Sequence, residues 1–222
     1  MMLRERILEL LYPPRCVLCG KVLEKHQSDF CESCRTESRT CPRVHHSVTF
    51  LDSWLSVWYY EGYIRRSLLR FKFHRKRMYA AAYGRMLALR VAEDYPEGFD
   101  VLTWVPVSRL RKWKRGYDQD ELLAKAVGRE LGMQPVRTLR KTRNNPPQSG
   151  IDGKAERRAN VLGVYRCVDP ELVRGKRVLI LDDIITTGAT AGECARVLKT
   201  AGAKEVHCGA VAAANNLKSF NR

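Results

Sequence analysis

No stretch of the 222 residues is apolar over the roughly 20 positions that a membrane-spanning helix needs. The opening residues MMLRERILELLYPP carry two glutamates and run into prolines where a secretory signal would continue into an apolar core. Both absences predict a soluble protein of the cytoplasm. The pattern Gly-x-x-x-x-Gly-Lys-Ser/Thr is missing, which disfavours ATP hydrolysis of the phosphate-loop class, and Gly-x-Gly-x-x-Gly is missing too. Acidic residues are scarce, 24 against 40 Lys and Arg, leaving a net charge of +16. With 45% hydrophobic residues the chain is globular, sized for one α/β domain and a small appendage.

Eight cysteines in a short chain suggest disulfides, but four of them fall into Cys16-Val-Leu-Cys19 and Cys31-Glu-Ser-Cys34. Two such knuckles, 11 residues apart, let four thiolates converge tetrahedrally on one Zn²⁺. A redox Cys-x-x-Cys normally opens a helix after a strand and does not come doubled. Four thiolates close the site, so the zinc is structural and folds a module too small to bury its own core. Cys41 starts no third knuckle, because Val44 stands where its partner would be; it is left out with His45 and His46. Cys167, Cys194 and Cys208 lie in apolar settings and read as core.

Half of the excess charge lies in residues 101–160. A separate run, Arg65, Arg66, Arg70, Lys72, Arg75, Lys76 and Arg77, contains no acid and interleaves Phe71 and Phe73. Cations with aromatics suit a polyanion such as single-stranded DNA, with Arg70, Lys72, Arg75 and Lys76 as candidate contacts; the other reading is a solvated basic face.

The chain divides into a zinc-binding module (1–45), a basic connector (46–99) and an α/β domain (100–222). In the connector, residues 51–63 read as an extended, hairpin-like segment, and 64–69 and 78–91 as helices. Beyond residue 100, strand-length apolar runs at 101–107, 136–139, 164–168 and from 178 alternate with helical stretches, the pattern of a parallel sheet. In the helix over 118–131, Asp118 and Glu121 have the spacing of a capping box. The long polar segment 140–160 predicts a functional loop.

The most informative segment is Val178-Leu-Ile-Leu-Asp-Asp-Ile-Ile-Thr-Thr-Gly-Ala-Thr190. A buried strand delivers Asp182 and Asp183 to the carboxyl edge of the sheet, where open α/β sheets bind ligands. Thr186, Thr187, Gly188, Ala189 and Thr190 then lead into a helix whose first amides, with the hydroxyls, cradle a phosphate. Carboxylates nearby hold vicinal hydroxyls or a Mg²⁺ shell. A phosphate beside a diol describes a phosphorylated ribose.

This segment resembles the 5-phosphoribosyl 1-diphosphate (PRPP) motif of type I phosphoribosyltransferases. VPVSRLRKWKRGYDQDELLA, Gln148-Ser149-Gly150 and Arg157-Arg158-Ala159-Asn160-Val161 resemble the ComF family, in which a zinc module precedes such a domain. The resemblance implies the type I phosphoribosyltransferase fold and a role in natural competence, handling single-stranded DNA in the cytoplasm beside competence-machinery proteins. It implies a pyrophosphate loop at 107–111, with Ser108 and Arg109, and a lid at 140–160 with Arg157. It also implies Mg²⁺ bound with PRPP or a phosphoribosyl nucleotide, and Asp182 and Asp183 in the catalytic role. Transferase chemistry, ligand-regulated nucleic-acid binding without chemistry, and nucleobase salvage stay open; the zinc module and the basic run weigh against salvage.

Overall fold

A computed structural model describes residues 12–42, 44–143 and 154–215. After the cysteine knuckles and the short helix α1 (Glu32–Glu37) come strand β1 (Ser53–Tyr59), helices α2 (Gly62–Phe73) and α3 (Tyr79–Asp94) and strand β2 (Val101–Trp104). Helices α4 (Arg109–Arg115) and α5 (Gln119–Leu131), strand β3 (Leu139–Lys141), helix α6 (Lys154–Val161) and strand β4 (Tyr165–Cys167) follow. Strand β5 (Arg177–Ile185), helix α7 (Ala189–Thr200) and strand β6 (Glu205–Ala213) complete the described order.

Four strands form a parallel sheet in the order β1-β6-β5-β2. Alternation along β5 sends Leu179 and Leu181 into the core under α2, α3 and α5, and Val178 and Ile180 into the core under α7. Both faces are covered, which is why these strands read as continuous apolar runs. Segment 51–63 is not a hairpin: every residue of β1 is buried, and its partner is the parallel β6, reached across most of the chain. Trp54, Leu55, Val57 and Trp58 contain no turn signal, and their bulk fits a strand buried on both faces. The expected connector therefore supplies one strand and two helices to the main domain.

Two short strands also differ from expectation. β3 and β4 pair with each other, antiparallel, as a ribbon outside the main sheet. The cap at Asp118 is as its spacing predicts, accepting from the amides of Asp120 (3.1 Å) and Glu121 (3.2 Å). Glu121 does not reach back to complete a box; it pairs with Lys112 and Lys125. Helix α5 lies hard against α3 at Gly84, where an added Cβ would fall 2.4 Å from that of Ala126. This close approach fixes where the start of α5 meets the sheet edge. No described helix is long and apolar enough to cross a membrane.

Candidate active site and zinc module

Strand β5 runs on past its two acids to Ile185, so Asp182 and Asp183 sit within its last turn of pleat and are buried, 8% and 3% exposed. Two residues that the sequence reading did not assign to the site meet them. Asp120, in the first turn of α5, is 2% exposed, and its carboxylate lies within 4.8 Å of those of Asp182 and Asp183. Lys72, in the last turn of α2, sets its ammonium 2.9 Å from Asp183 Oδ1 with a side chain only 20% exposed. Three helix and strand ends thus bring three carboxylates and one ammonium into one buried cluster.

The cluster carries more negative charge than it neutralises. Burial, reinforced by the Asp183 charge, pushes Asp182 up to about 7, with Lys72 opposing. Asp120 is raised well above the carboxylate range by burial and then by Asp183 and Asp182. Burial works to lower Lys72, but the Asp183 carboxylate outweighs it and the ammonium is held above its ordinary value. Asp120 Oδ1 and Asp183 Oδ2 are buried without a hydrogen-bond partner. Buried polar groups are nearly always partnered in native structures, so these two oxygens call for a role such as catalysis or ion binding.

The cluster opens on a cleft of about 950 Å³. Thr186 and Thr190 line it at the start of α7. Thr187 Oγ1 instead accepts from the amide of Ala189 at 3.4 Å, and Gly188 is the turn itself. Gly188 has φ 74°, and a Cβ there would lie 2.4 Å from Val48 Cγ2, so only glycine gives the loop this path. Arg111, Lys114, Arg115, Lys141 and Arg157 line the cleft as well. Burial, then Arg111, draws Lys141 down to about 8; burial, then Arg115, lowers Arg111.

Of the segment expected as a loop at 107–111, Val107, Leu110 and Arg111 line the cleft. Ser108 is buried and caps α4, accepting from the Arg111 amide at 3.3 Å, so the chain turns at once into helix. Arg109 is exposed and does not line the cleft; Arg111, two residues on, does. Arg157 also lines the cleft. Gln148, Ser149 and Gly150, expected in a lid, lie outside the described residues.

The basic run is corrected as well. Lys72 belongs to the acid cluster and not to a solvated face. Arg70 is half-buried and donates to the carbonyls of Val17 and Leu18 in the first knuckle. Arg75 lines the cleft mouth, and Lys76 is exposed outside it.

In the N-terminal module the four Sγ atoms of Cys16, Cys19, Cys31 and Cys34 lie within 4.8 Å of one another. Tetrahedral zinc with bonds of about 2.3 Å requires sulfurs about 3.8 Å apart, and Cys19 and Cys31 stand at 3.6 Å. The residues present fit zinc. Cys41 stays outside this set, 3.6 Å from His45 Nε2. The module is tied down by Ser67, donating to the Val17 carbonyl, and by a two-pronged Arg85 to Asp29 pair. Its Leu18, Leu23 and Phe30 share a core with Trp58, Phe71 and Tyr83.

Comparison with known proteins agrees with this architecture. The Phosphoribosyl transferase domain family matches residues 121–221, and the Double zinc ribbon domain family matches residues 7–45. Competence protein F of Haemophilus influenzae is 24% identical over 218 residues, 86% of this chain and 93% of that protein. The DNA utilization protein YhgH of Escherichia coli is 27% identical over 223 residues, 89% and 96% of the two chains. Competence protein ComFC of Bacillus subtilis is 28% identical over 190 residues, 84% and 72%. Fold and site therefore define a phosphoribosyltransferase-type domain carrying a structural zinc ribbon. Along most of its length the chain resembles the ComF family of competence proteins.

Proposed function

We propose that the cleft binds PRPP or a phosphoribosyl nucleotide and that the protein serves the handling of single-stranded DNA in the cytoplasm. One observation carries the ligand: Asp182 and Asp183 share a single cleft with Thr186 and Thr190 at the start of α7. The carboxylates accept from the 2′- and 3′-hydroxyls of the ribose, while the threonine hydroxyls and the first amides of α7 hold the 5-phosphate. Arg111, Lys141 and Arg157 neutralise the pyrophosphate. Mg²⁺ fits the hard, unpartnered oxygens of Asp120 and Asp183, and supplies charge neutralisation of the leaving pyrophosphate. In transfer, an acceptor nucleophile would bond to C1 of the ribose as pyrophosphate leaves with the C1–O electron pair, and Asp182 and Asp183 would stabilise the positive charge that builds on the ribose. Calorimetry with PRPP and Mg²⁺ tests the reading; a flat titration at millimolar ligand would remove it. Pyrophosphate release with DNA or free bases then separates transferase chemistry from binding alone.

The DNA role is supported by the names of relatives, DNA utilization protein and competence protein. It is supported too by the rim of the cleft. Phe73 is 61% exposed with the Arg115 guanidinium 5.0 Å above its ring, and Arg65, Arg75 and Lys114 line the same cleft. Such a rim suits stacked bases and phosphates. Partners in the competence machinery fit the same role, and eight unpaired cysteines suit a reducing cytoplasm. In a filter assay, Arg65→Glu, Arg75→Glu and Lys114→Glu together lower affinity for single-stranded DNA at least about tenfold. They flatten the salt dependence by about 2 in the log–log slope, at about 0.7 per phosphate contact. Unchanged affinity would return this rim to the status of a solvated basic surface.

A further inference from the structure

Lys72 has no part in the phosphoribose reading above, yet it is the charged group in closest contact with the acids. Its ammonium rests 2.9 Å from Asp183 Oδ1, and carboxylate oxygens of Asp120 and Asp182 lie within 4.8 Å of that of Asp183. Its backbone is not free to follow a ligand. Two residues earlier Arg70 grips the Val17 and Leu18 carbonyls, and Ser67 holds Val17 as well, so α2 is locked to the zinc ribbon. The four-carbon stem of a lysine, by contrast, is a flexible carrier of a point charge. Asp120 Oδ1 and Asp183 Oδ2 remain buried and unpartnered beside it. One ammonium therefore leaves oxygen ligands unused in a nest of three carboxylates.

We propose that Lys72 is a tethered counter-cation: it fills the carboxylate nest of Asp120, Asp182 and Asp183 when no ligand is bound, and swings out when a divalent ion arrives with the phosphoribosyl ligand. Lysine in the nest repels a free divalent cation and compensates charge that helix and strand ends would otherwise leave exposed to each other. The site then accepts a divalent ion together with a polyanionic ligand and resists the ion alone. Lys72 is a positioning residue in this scheme, since it sets which cation the acids hold and touches no reacting atom. The proposal rests on the phosphoribosyl reading for the identity of the displacing ligand, but its test does not.

The test is Mn²⁺ binding, followed by electron paramagnetic resonance, to the full zinc-loaded chain with no phosphoribosyl compound present. The wild-type protein binds Mn²⁺ weakly, Lys72→Met binds it at least tenfold more tightly, and Lys72→Arg stays weak. Adding Asp120→Asn to Lys72→Met removes the gain. Lys72→Gln, which keeps a hydrogen bond to Asp183, is the second variant and shows the same tightening if Lys72→Met does not fold. Equal Mn²⁺ affinity in the wild type and a folded Met or Gln variant would overturn the proposal, as would tight binding to the wild type. Failure of PRPP to bind the wild type would strike the phosphoribosyl reading and leave the Mn²⁺ result standing.

Discussion

Asparagine at both Asp182 and Asp183 is expected to weaken PRPP binding by at least about 100-fold, since each loses a charge-assisted hydrogen bond of about 1.5–3 kcal/mol. The two single variants then part company in stability. Asp182 is crowded by burial and by the Asp183 charge, which hold it near pH 7. Neutral asparagine there relieves that crowding and leaves the melting temperature level or raised. Asp183 is the partner of the Lys72 ammonium. Its removal strands a largely buried cation, a change that costs about 3–5 kcal/mol where no other group compensates. Asp120 and Asp182 compensate in part, so the loss for Asp183→Asn falls below that range but stays measurable. Calorimetry gives the binding losses and thermal denaturation the stability changes. Similar binding losses with a stability loss confined to Asp183→Asn are the expected pattern, and equal stability losses would contradict this account of the cluster.

Zinc removal is expected to have the other large effect, and it reaches the cleft. Structural zinc contributes about 10 kcal/mol or more to modules of this kind. Without it, Val17, Leu18, Leu23 and Phe30 withdraw from the core they share with Trp58, Phe71 and Tyr83. Each large apolar side chain contributes about 1.5–3 kcal/mol by burial, so the withdrawal approaches the whole net stability of a domain, about 5–15 kcal/mol. Helix α2 also loses the carbonyls to which Ser67 and Arg70 donate, and α2 carries Lys72. Chelation, or Cys31→Ser with Cys34→Ser, lowers the melting temperature of the whole chain and weakens PRPP binding together. A zinc-free protein with unchanged melting and unchanged ligand affinity would show that the ribbon is an independent appendage.

The residues that carried the fold class were those whose local pattern agrees with their tertiary setting. The apolar run before Asp182, the hydroxyl loop and the helix after it stand as read, and so do the doubled knuckles, because ligand spacing on a metal is a local property. Contacts between distant segments were not legible in the same way. β1 pairs with β6 across the chain, and nothing within 51–63 names that partner. Lys72 and Asp120 were hidden by their neighbours: one lies in a basic run, the other behind the more conspicuous cap at Asp118. Helical spacing held the missing signal. Lys72 continues the buried stripe of Ile64 and Leu68 at four-residue steps, and Asp120 lies three and seven residues before the buried Leu123 and Val127. A charge on a core-facing stripe requires a buried partner, and each of these residues has the other's cluster as its partner. Arg109 and Arg111 show the reverse: the serine before them caps a helix, and helical geometry selects which of the two arginines faces the cleft.

The central claim is that one cleft holds a ribose by Asp182 and Asp183 and its 5-phosphate by the loop at the start of α7. A crystal structure with PRPP and Mg²⁺ tests it most directly. The account predicts the 5-phosphate within hydrogen-bond distance of Thr186 and Thr190 and the ribose hydroxyls on the two aspartates. PRPP bound elsewhere, or bound in the cleft with its ribose turned away from both aspartates, would contradict it.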